Sequence, residues 1–245
     1  MIGNGYLALK KTLFRQWLLV VFLVGTAGAA VGEEFVVVDK RPPDIVDVAD
    51  LIPGVVLDIR YATDLNFVGK QIDGYLKPKC LLTRRAAKAL RTVQEALEED
   101  GLALKIFDCY RPQQAVQHFV RWAKDPEDTR MKDTFYPSVQ KDELFARGYI
   151  AEHSGHSRGS TLDVTLVKVE SASDYSELDM GTKYDFFDRQ SHTDNRSVGA
   201  AIKKNRQRLK AVMESHGFVN LPEEWWHYTL KDEPYKDSYF NFPVE

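Results

Sequence analysis

The sequence predicts an α+β fold, a single domain with a mainly antiparallel sheet flanked by helices. Strand-like and helix-like segments follow one another without the regular βαβ rhythm of a parallel sheet. With 44% hydrophobic and 28% charged residues among 245, the composition is globular and excludes collagen-like, low-complexity and wholly disordered chains. About 215 residues follow the first thirty, enough for one domain with long surface loops. They contain no internal repeat.

The first thirty residues read differently. Lys10, Lys11 and Arg15 precede an uncharged run over 16–32, apolar over 17–24, with small residues at Ala27-Gly28-Ala29-Ala30. A basic flank, a short apolar stretch and an A-x-A-like end make a secretory signal peptide over 1–30, cleaved near Ala29 or Ala30. The run falls short of the roughly 20 apolar residues of a spanning helix, which leaves an uncleaved anchor as the weaker alternative. The expectation is an exported domain over 31–245, periplasmic or secreted, without stable membrane association after cleavage. The whole chain carries a formal charge of −3, and losing the three basic residues leaves 30 Lys+Arg against 36 Asp+Glu. An acidic domain of this kind is a poor match for nucleic acid. Oligomeric state is not legible.

An irregular, partly extended lead-in over 33–50 contains Pro42 and Pro43. Val55-Val56-Leu57-Asp58-Ile59-Arg60-Tyr61 then has strand composition, and 63–74 reads as a loop. Over 83–100, Ala86, Ala89, Leu90, Val93 and Leu97 recur at helical steps, with Thr83 as N-cap and Gly101 as stop. A strand over 102–108 follows, its two-residue period putting Leu102, Leu104, Ile106 and Asp108 on one face. Pro112 suits the first turn of a second helix, whose apolar face is Ala115, Val116, Phe119, Val120 and Ala123. The charged stretch 125–150 reads as a surface excursion with at most a short helix over 141–147. A strand over 162–169 leads into a long connection over 170–196, a length more often functional than idle. The last helix spans 197–216, with Ser197 as cap, Ala201, Ile202, Leu209, Val212 and Met213 inward, and Gly217 as stop. A final strand covers 225–230.

Two of the six histidines have unusual surroundings. His156 lies in Glu152-His153-Ser154-Gly155-His156-Ser157-Arg158-Gly159-Ser160-Thr161-Leu162-Asp163, where glycines and serines loosen the backbone before a strand begins. A loop histidine and a strand carboxylate seven positions later can there converge on one ion. His227 enters an aromatic strand in Glu223-Glu224-Trp225-Trp226-His227-Tyr228. Two imidazoles and a carboxylate leave a fourth tetrahedral position open, as in catalytic zinc sites. Glu224, three residues from His227, can serve as general base without being a ligand, provided it sits in a turn or beyond a bulge. His153 and His156 form a competing H-x-x-H pair, Asp163 can equally be a capping acid, and the Trp225-Trp226 pair can be core. His118 and His216 read as helix-surface or packing residues. Arg111, at the end of a strand in Asp108-Cys109-Tyr110-Arg111-Pro112, can offer a fixed cation to an oxyanion or merely pair with Asp108. Cys80 and Cys109 are the two cysteines. In an oxidising compartment they are candidates to pair, although sequence alone does not bring their Cα atoms together.

Taken in order, five motifs resemble the zinc D-alanyl-D-alanine dipeptidases of the VanX type, within the wider group of D,D-metallopeptidases. They are Arg60-Tyr61-Ala62-Thr63 with Asn66-Phe67, Asp108-Cys109-Tyr110-Arg111-Pro112, Ser154-Gly155-His156-Ser157-Arg158-Gly159 through Asp163, Met180-Gly181-Thr182-Lys183-Tyr184-Asp185, and Glu224-Trp225-Trp226-His227. The resemblance implies one zinc ion per subunit on His156, Asp163 and His227, Glu224 as catalytic base and Arg111 as stabiliser of the tetrahedral intermediate. It also implies a small dipeptide substrate, D-alanyl-D-alanine, whose ammonium group meets Asp185 with help from Ser154, while Tyr61 and Asn66 line the pocket. Family members can carry a second serine where this sequence has Gly155. Competing readings are a zinc D,D-carboxypeptidase or endopeptidase acting on longer peptidoglycan peptides, a non-catalytic zinc-binding module, and a Cys109 nucleophile paired with a histidine.

Overall fold

Among the described residues, four short strands precede the first helix: β1 (Val36–Val38), β2 (Ile45–Asp47), β3 (Val56–Leu57) and β4 (Leu81–Thr83). Helix α1 (Arg84–Glu98), strand β5 (Leu102–Asp108), helix α2 (Gln113–Lys124) and the single turn α3 (Lys132–Phe135) follow. The chain continues through β6 (Thr161–Ser171), β7 (Asp174–Glu177), α4 (Ala200–Ser215), β8 (Phe218–Asn220), β9 (His227–Leu230) and β10 (Ser238–Phe240). This computed structural model describes residues 35–171 and 174–245; the expected signal peptide over 1–30 lies outside them. Phe35–Glu245 form one unit. Among the described residues no helix is long and apolar enough to cross a membrane.

The main sheet has the order β3-β5-β6-β9-β8, with β7 added against β6. Its β5-β6, β6-β7, β6-β9 and β8-β9 pairs are antiparallel, but β3 joins β5 in parallel. The crossover from β3 through β4 and α1 brings the chain back in the same direction. A second parallel pair, β1 with β10, forms a separate ribbon. The sheet is therefore mixed, which corrects the expectation of a mainly antiparallel one. Helices α1 and α4 pack on each other, α1 against β5 and α4 against β6 and β8.

Thr83 caps α1, accepting from Ala86 N, and Gly101 ends the segment at φ 68, a conformation that suits glycine. Other boundaries moved. The strand-like stretch after Val55 leaves the sheet at Leu57 and turns through a 3-10 helix, Arg60–Ala62, because Asp58 holds Arg60 and Lys105 in an ion cluster at 2.9 and 2.8 Å. That turn buries Tyr61. The excursion over 125–150 is not all surface: Phe135, Tyr136, Val139, Leu144 and Ile150 are buried. Lys141 Nζ makes this possible by donating to the carbonyls of Trp122, Asp125 and Asp128 at 2.6, 2.5 and 2.8 Å. The cap of α4 is Gly199 rather than Ser197, and Ala201 is exposed. Buried Arg206 fixes the preceding loop instead, donating to Met180 O (2.8 Å) and His192 O (2.6 Å).

Cys80 and Cys109 form a disulfide with Cα atoms 5.1 Å apart. It ties the entry of β4 to the turn that follows β5. Strict alternation would put Asp108 and Asp163 on opposite faces, but the β5-β6 register shifts between Ile106 and Asp108 so that Asp108 lies opposite Asp163. A bulge of this kind re-aims a side chain. It corrects the expectation that Asp108 shares the face of Leu104 and Ile106.

Candidate metal centre

Three elements bring three donors to one point. His156 sits in the 3-10 turn Gly155–Arg158, which Ser154 caps by accepting from His156 N. Asp163 is on β6, and its register partner His227 opens β9, so both side chains leave the same face of the sheet. His156 Nε2 lies 3.3 Å from Asp163 Oδ1 and 3.3 Å from His227 Nδ1, and His227 Nδ1 lies 3.1 Å from Asp163 Oδ1. Four ligands about 2.0–2.2 Å from a tetrahedral zinc ion stand about 3.3–3.6 Å from one another. The three atoms thus occupy three corners of such a tetrahedron. Asp163 Oδ1 is buried with no hydrogen-bond partner, an orphan a cation would satisfy. The far nitrogen of His156, Nδ1, lies 2.7 Å from the Cys109 carbonyl, the outer support typical of metal-bound imidazole.

Glu224 fulfils the geometric condition set by its spacing. It lies in the turn before β9, where Glu224 N donates to Leu221 O and His227 N to Glu224 O, and its Oε2 stands 3.5 Å from His227 Nδ1. Burial pushes its carboxyl above the ordinary glutamate range, which suits a general base. Arg111 donates through Nε to Asp108 Oδ2 at 3.0 Å and reaches within 3.6 Å of Asp163 Oδ2. Its guanidinium sits 5.0 Å from the Tyr61 ring and 5.3 Å from the Phe119 ring, so it is a fixed, partly desolvated cation. Asp108 is in turn held by the Tyr75 hydroxyl at 2.6 Å.

These groups open onto a cavity of about 230 Å³ lined by Tyr61, Arg111, Ser154, Asp185 and Glu224 among others. Asp185 is buried, accepts from the Tyr61 hydroxyl at 2.9 Å, and burial followed by the nearby Asp163 charge pushes its carboxyl well above the usual range. Its φ of 58 is the one positive value at a non-glycine among the described residues. Asn66, expected to line the pocket, is buried and is not among the residues lining this cavity; its side chain instead ties its own loop through the carbonyls of Thr63 and Lys70 at 2.8 Å. A Cβ at Gly155 would meet Thr161 Oγ1 at 3.0 Å and Arg158 Nη2 at 3.4 Å, so a side chain there would be crowded against those two groups.

The profile of the peptidase M15 family described as D-ala-D-ala dipeptidase matches residues 41–245. The chain belongs to this family. A D-alanyl-D-alanine dipeptidase of Streptomyces coelicolor is 45% identical over 202 residues, covering 82% of this chain and 98% of the relative. That of Enterococcus faecalis is 44% identical over 195 residues, with 80% and 95% covered, and that of Escherichia coli 33% over 187 residues, with 76% and 84% covered.

Within this dipeptidase-family chain the structure gathers His156, Asp163, His227, Glu224, Arg111, Asp185, Ser154 and Tyr61 around one cavity. His153 also lines this cavity, but it is exposed and outside the His156, Asp163 and His227 donor set, its ring 4.9 Å from Phe35 and 5.0 Å from Tyr239. His118 receives the Asp73 amide at 3.1 Å and His216 contacts Val212 O at 2.8 Å, both packing roles. Sequence reasoning missed Asp108 as a site carboxylate and Tyr75 altogether, and named Tyr184 only within a motif, with no role of its own. The first was masked by the bulge; Tyr75 lies just past the loop over 63–74 and Tyr184 in the long connection over 170–196.

Proposed function

We propose that the chain is a zinc-dependent dipeptidase that splits D-alanyl-D-alanine into two molecules of D-alanine. The observation that carries this reading is the pairing of the His156, Asp163 and His227 donor set with a buried carboxylate, Asp185, lining the same small cavity. A zinc ion held by the three donors supplies Lewis acidity and makes water nucleophilic near neutral pH. Glu224 takes the proton of the attacking water and passes it to the departing amine. Arg111, clamped by Asp108, offsets the negative charge that develops at the scissile carbonyl. Asp185, oriented by Tyr61, pairs with the free ammonium group, so a substrate whose amine is blocked leaves a buried charge unpaired and is rejected. The disulfide between Cys80 and Cys109 removes Cys109 as a nucleophile.

The basic flank, apolar run and small-residue end of 1–30 support export of the mature domain. An exported enzyme of this kind meets dipeptide released during wall turnover or supplied from outside, so its role is salvage or wall remodelling. Cell fractionation that leaves the processed protein in the cytoplasm would overturn this placement.

D-alanine release by residues 31–245 from free and from N-acetylated D-alanyl-D-alanine tests the activity, with chelator and Glu224→Ala controls. Cleavage of the free dipeptide alone, lost in both controls, is the expected result. Cleavage of the blocked substrate would move the assignment to a carboxypeptidase on longer peptides, and cleavage of neither to a binding module.

A further inference from the structure

The hydroxyl of Tyr184 lies 2.9 Å from Asp163 Oδ2 and 3.1 Å from the Tyr61 hydroxyl, which itself donates to Asp185 Oδ2 at 2.9 Å. One buried phenol therefore touches both a candidate metal donor and the group that orients the second buried carboxylate lining the cavity. We infer that Tyr184 is a positioning residue that sets the metal ligand Asp163 and the amine-binding Asp185 in one hydrogen-bonded chain. This rests on the reading of Asp185 as the ammonium subsite.

Asp163 has two oxygens with different tasks. Oδ1 faces the histidine nitrogens, while Oδ2 meets Tyr184 at 2.9 Å and Arg111 at 3.6 Å. A donor on Oδ2 turns the carboxylate so that Oδ1 faces the two histidine nitrogens, the outer-shell support that would hold a ligand in its bound orientation. Tyr184 carries a single proton, which Asp163 Oδ2 and the Tyr61 oxygen share. The Tyr61 proton goes to Asp185 Oδ2, so Tyr61 accepts from Tyr184 while donating to Asp185, and the orientation of Asp185 depends on what Tyr184 does.

The phenol is held firmly enough for such a task. Its ring stacks on Phe107 with centroids 4.7 Å apart at 16° and meets Trp226 edge-on at 5.5 Å. On its C-terminal side comes Asp185 with its positive φ, a conformation uncommon outside glycine that the surrounding structure must hold in place. On its N-terminal side, Arg206 anchors the loop through Met180 O. Backbone and ring are both fixed, and the hydroxyl is the part left to act.

Tyr184→Phe keeps the ring and removes the hydroxyl. Zinc affinity by competition with a chromophoric chelator, thermal melting, and KM and kcat for D-alanyl-D-alanine are measured for wild type, Tyr184→Phe and Tyr61→Phe. The expected result for Tyr184→Phe is a near-normal melt, zinc affinity weaker by about 10-fold and a raised KM. Tyr61→Phe, which touches Asp185 but not Asp163, is expected to raise KM while leaving zinc affinity unchanged. Unaltered zinc affinity in Tyr184→Phe, or an equal loss in Tyr61→Phe, would overturn the inference. The zinc comparison needs no substrate, so it stands apart from any failure of the dipeptidase reading, which would show as wild-type protein without D-alanine release.

Discussion

The carbonyl oxygen of Cys109 accepts a 2.7 Å hydrogen bond from Nδ1 of His156. A carbonyl can only accept, so the proton is on Nδ1 and the lone pair of Nε2 faces Asp163. Cys109 is itself bridged to Cys80, at a sequence separation of 29. The segment that follows Cys80 is pinned on both sides: Tyr110 N donates to Leu81 O at 3.0 Å and Thr83 N to Gly159 O at 2.7 Å. The disulfide thus braces the carbonyl that orients a metal donor. A Cys80→Ser, Cys109→Ser double variant is expected to lose about 2–4 kcal/mol of stability and to bind zinc more weakly, read by thermal melting and chelator competition. Zinc affinity equal to wild type would mean that the backbone hydrogen bonds hold the turn unaided.

Glu224 stands beside the donor set without belonging to it, 3.5 Å from His227 Nδ1. Glu224→Gln keeps the side-chain volume and removes the base. The expected outcome is a fall in kcat of about 10²–10⁴-fold with one zinc still bound per chain, measured by steady-state D-alanine release and metal analysis. Loss of the metal along with activity would make Glu224 a ligand instead.

Much of this site was legible because its donors announce themselves by type and by order. His156 and Asp163 are close in sequence, and a glycine- and serine-rich turn before a strand is enough to make them converge. His227 was found from its aromatic and acidic neighbours, and Glu224 required only a turn, which Pro222 and the Leu221 carbonyl provide. What stayed hidden depended on register and on long-range packing. No local pattern shows the shift at Ile106 that turns Asp108 towards Asp163, and none shows that the loop before α4 returns Tyr184 to the floor of the site. The helices were read well where propensity and caps agreed, as at Thr83. They were read less well at α4, where buried Arg206 replaces part of the apolar face that Ala201 was expected to supply.

Asp108 is fully buried and compensates Arg111 through Nε and Nη2, both at 3.0 Å. Removing one partner of a buried pair leaves the other charge uncompensated, at a cost of about 3–5 kcal/mol. Asp108→Ala is expected to lower the denaturant midpoint accordingly. It also frees Arg111 to close on Asp163 Oδ2, now 3.6 Å away, which should lower kcat more than it raises KM. Equal stability in urea titrations of the two proteins would contradict the pairing.

Asp185, the proposed partner of the substrate ammonium, is buried at a cost in stability. Burial holds its folded-state carboxyl well above the ordinary 3.8, so between 3.8 and that higher value the folded chain binds more protons than the unfolded one. Stability from this group is complete below 3.8 and declines as pH rises through the window. Asp185→Asn removes the ionisable group while its amide can still meet Tyr61. In metal-free protein the variant is therefore expected to melt higher than wild type at pH 7, with the advantage shrinking as pH is lowered towards 4. The same substitution removes the partner of the substrate ammonium, so KM for the free dipeptide should rise steeply while the N-acetylated dipeptide is rejected less strongly. Melting curves across pH 4–8 and paired kinetics on the two substrates check both halves, and a variant less stable than wild type at pH 7 would show that Asp185 is held ionised in the free protein.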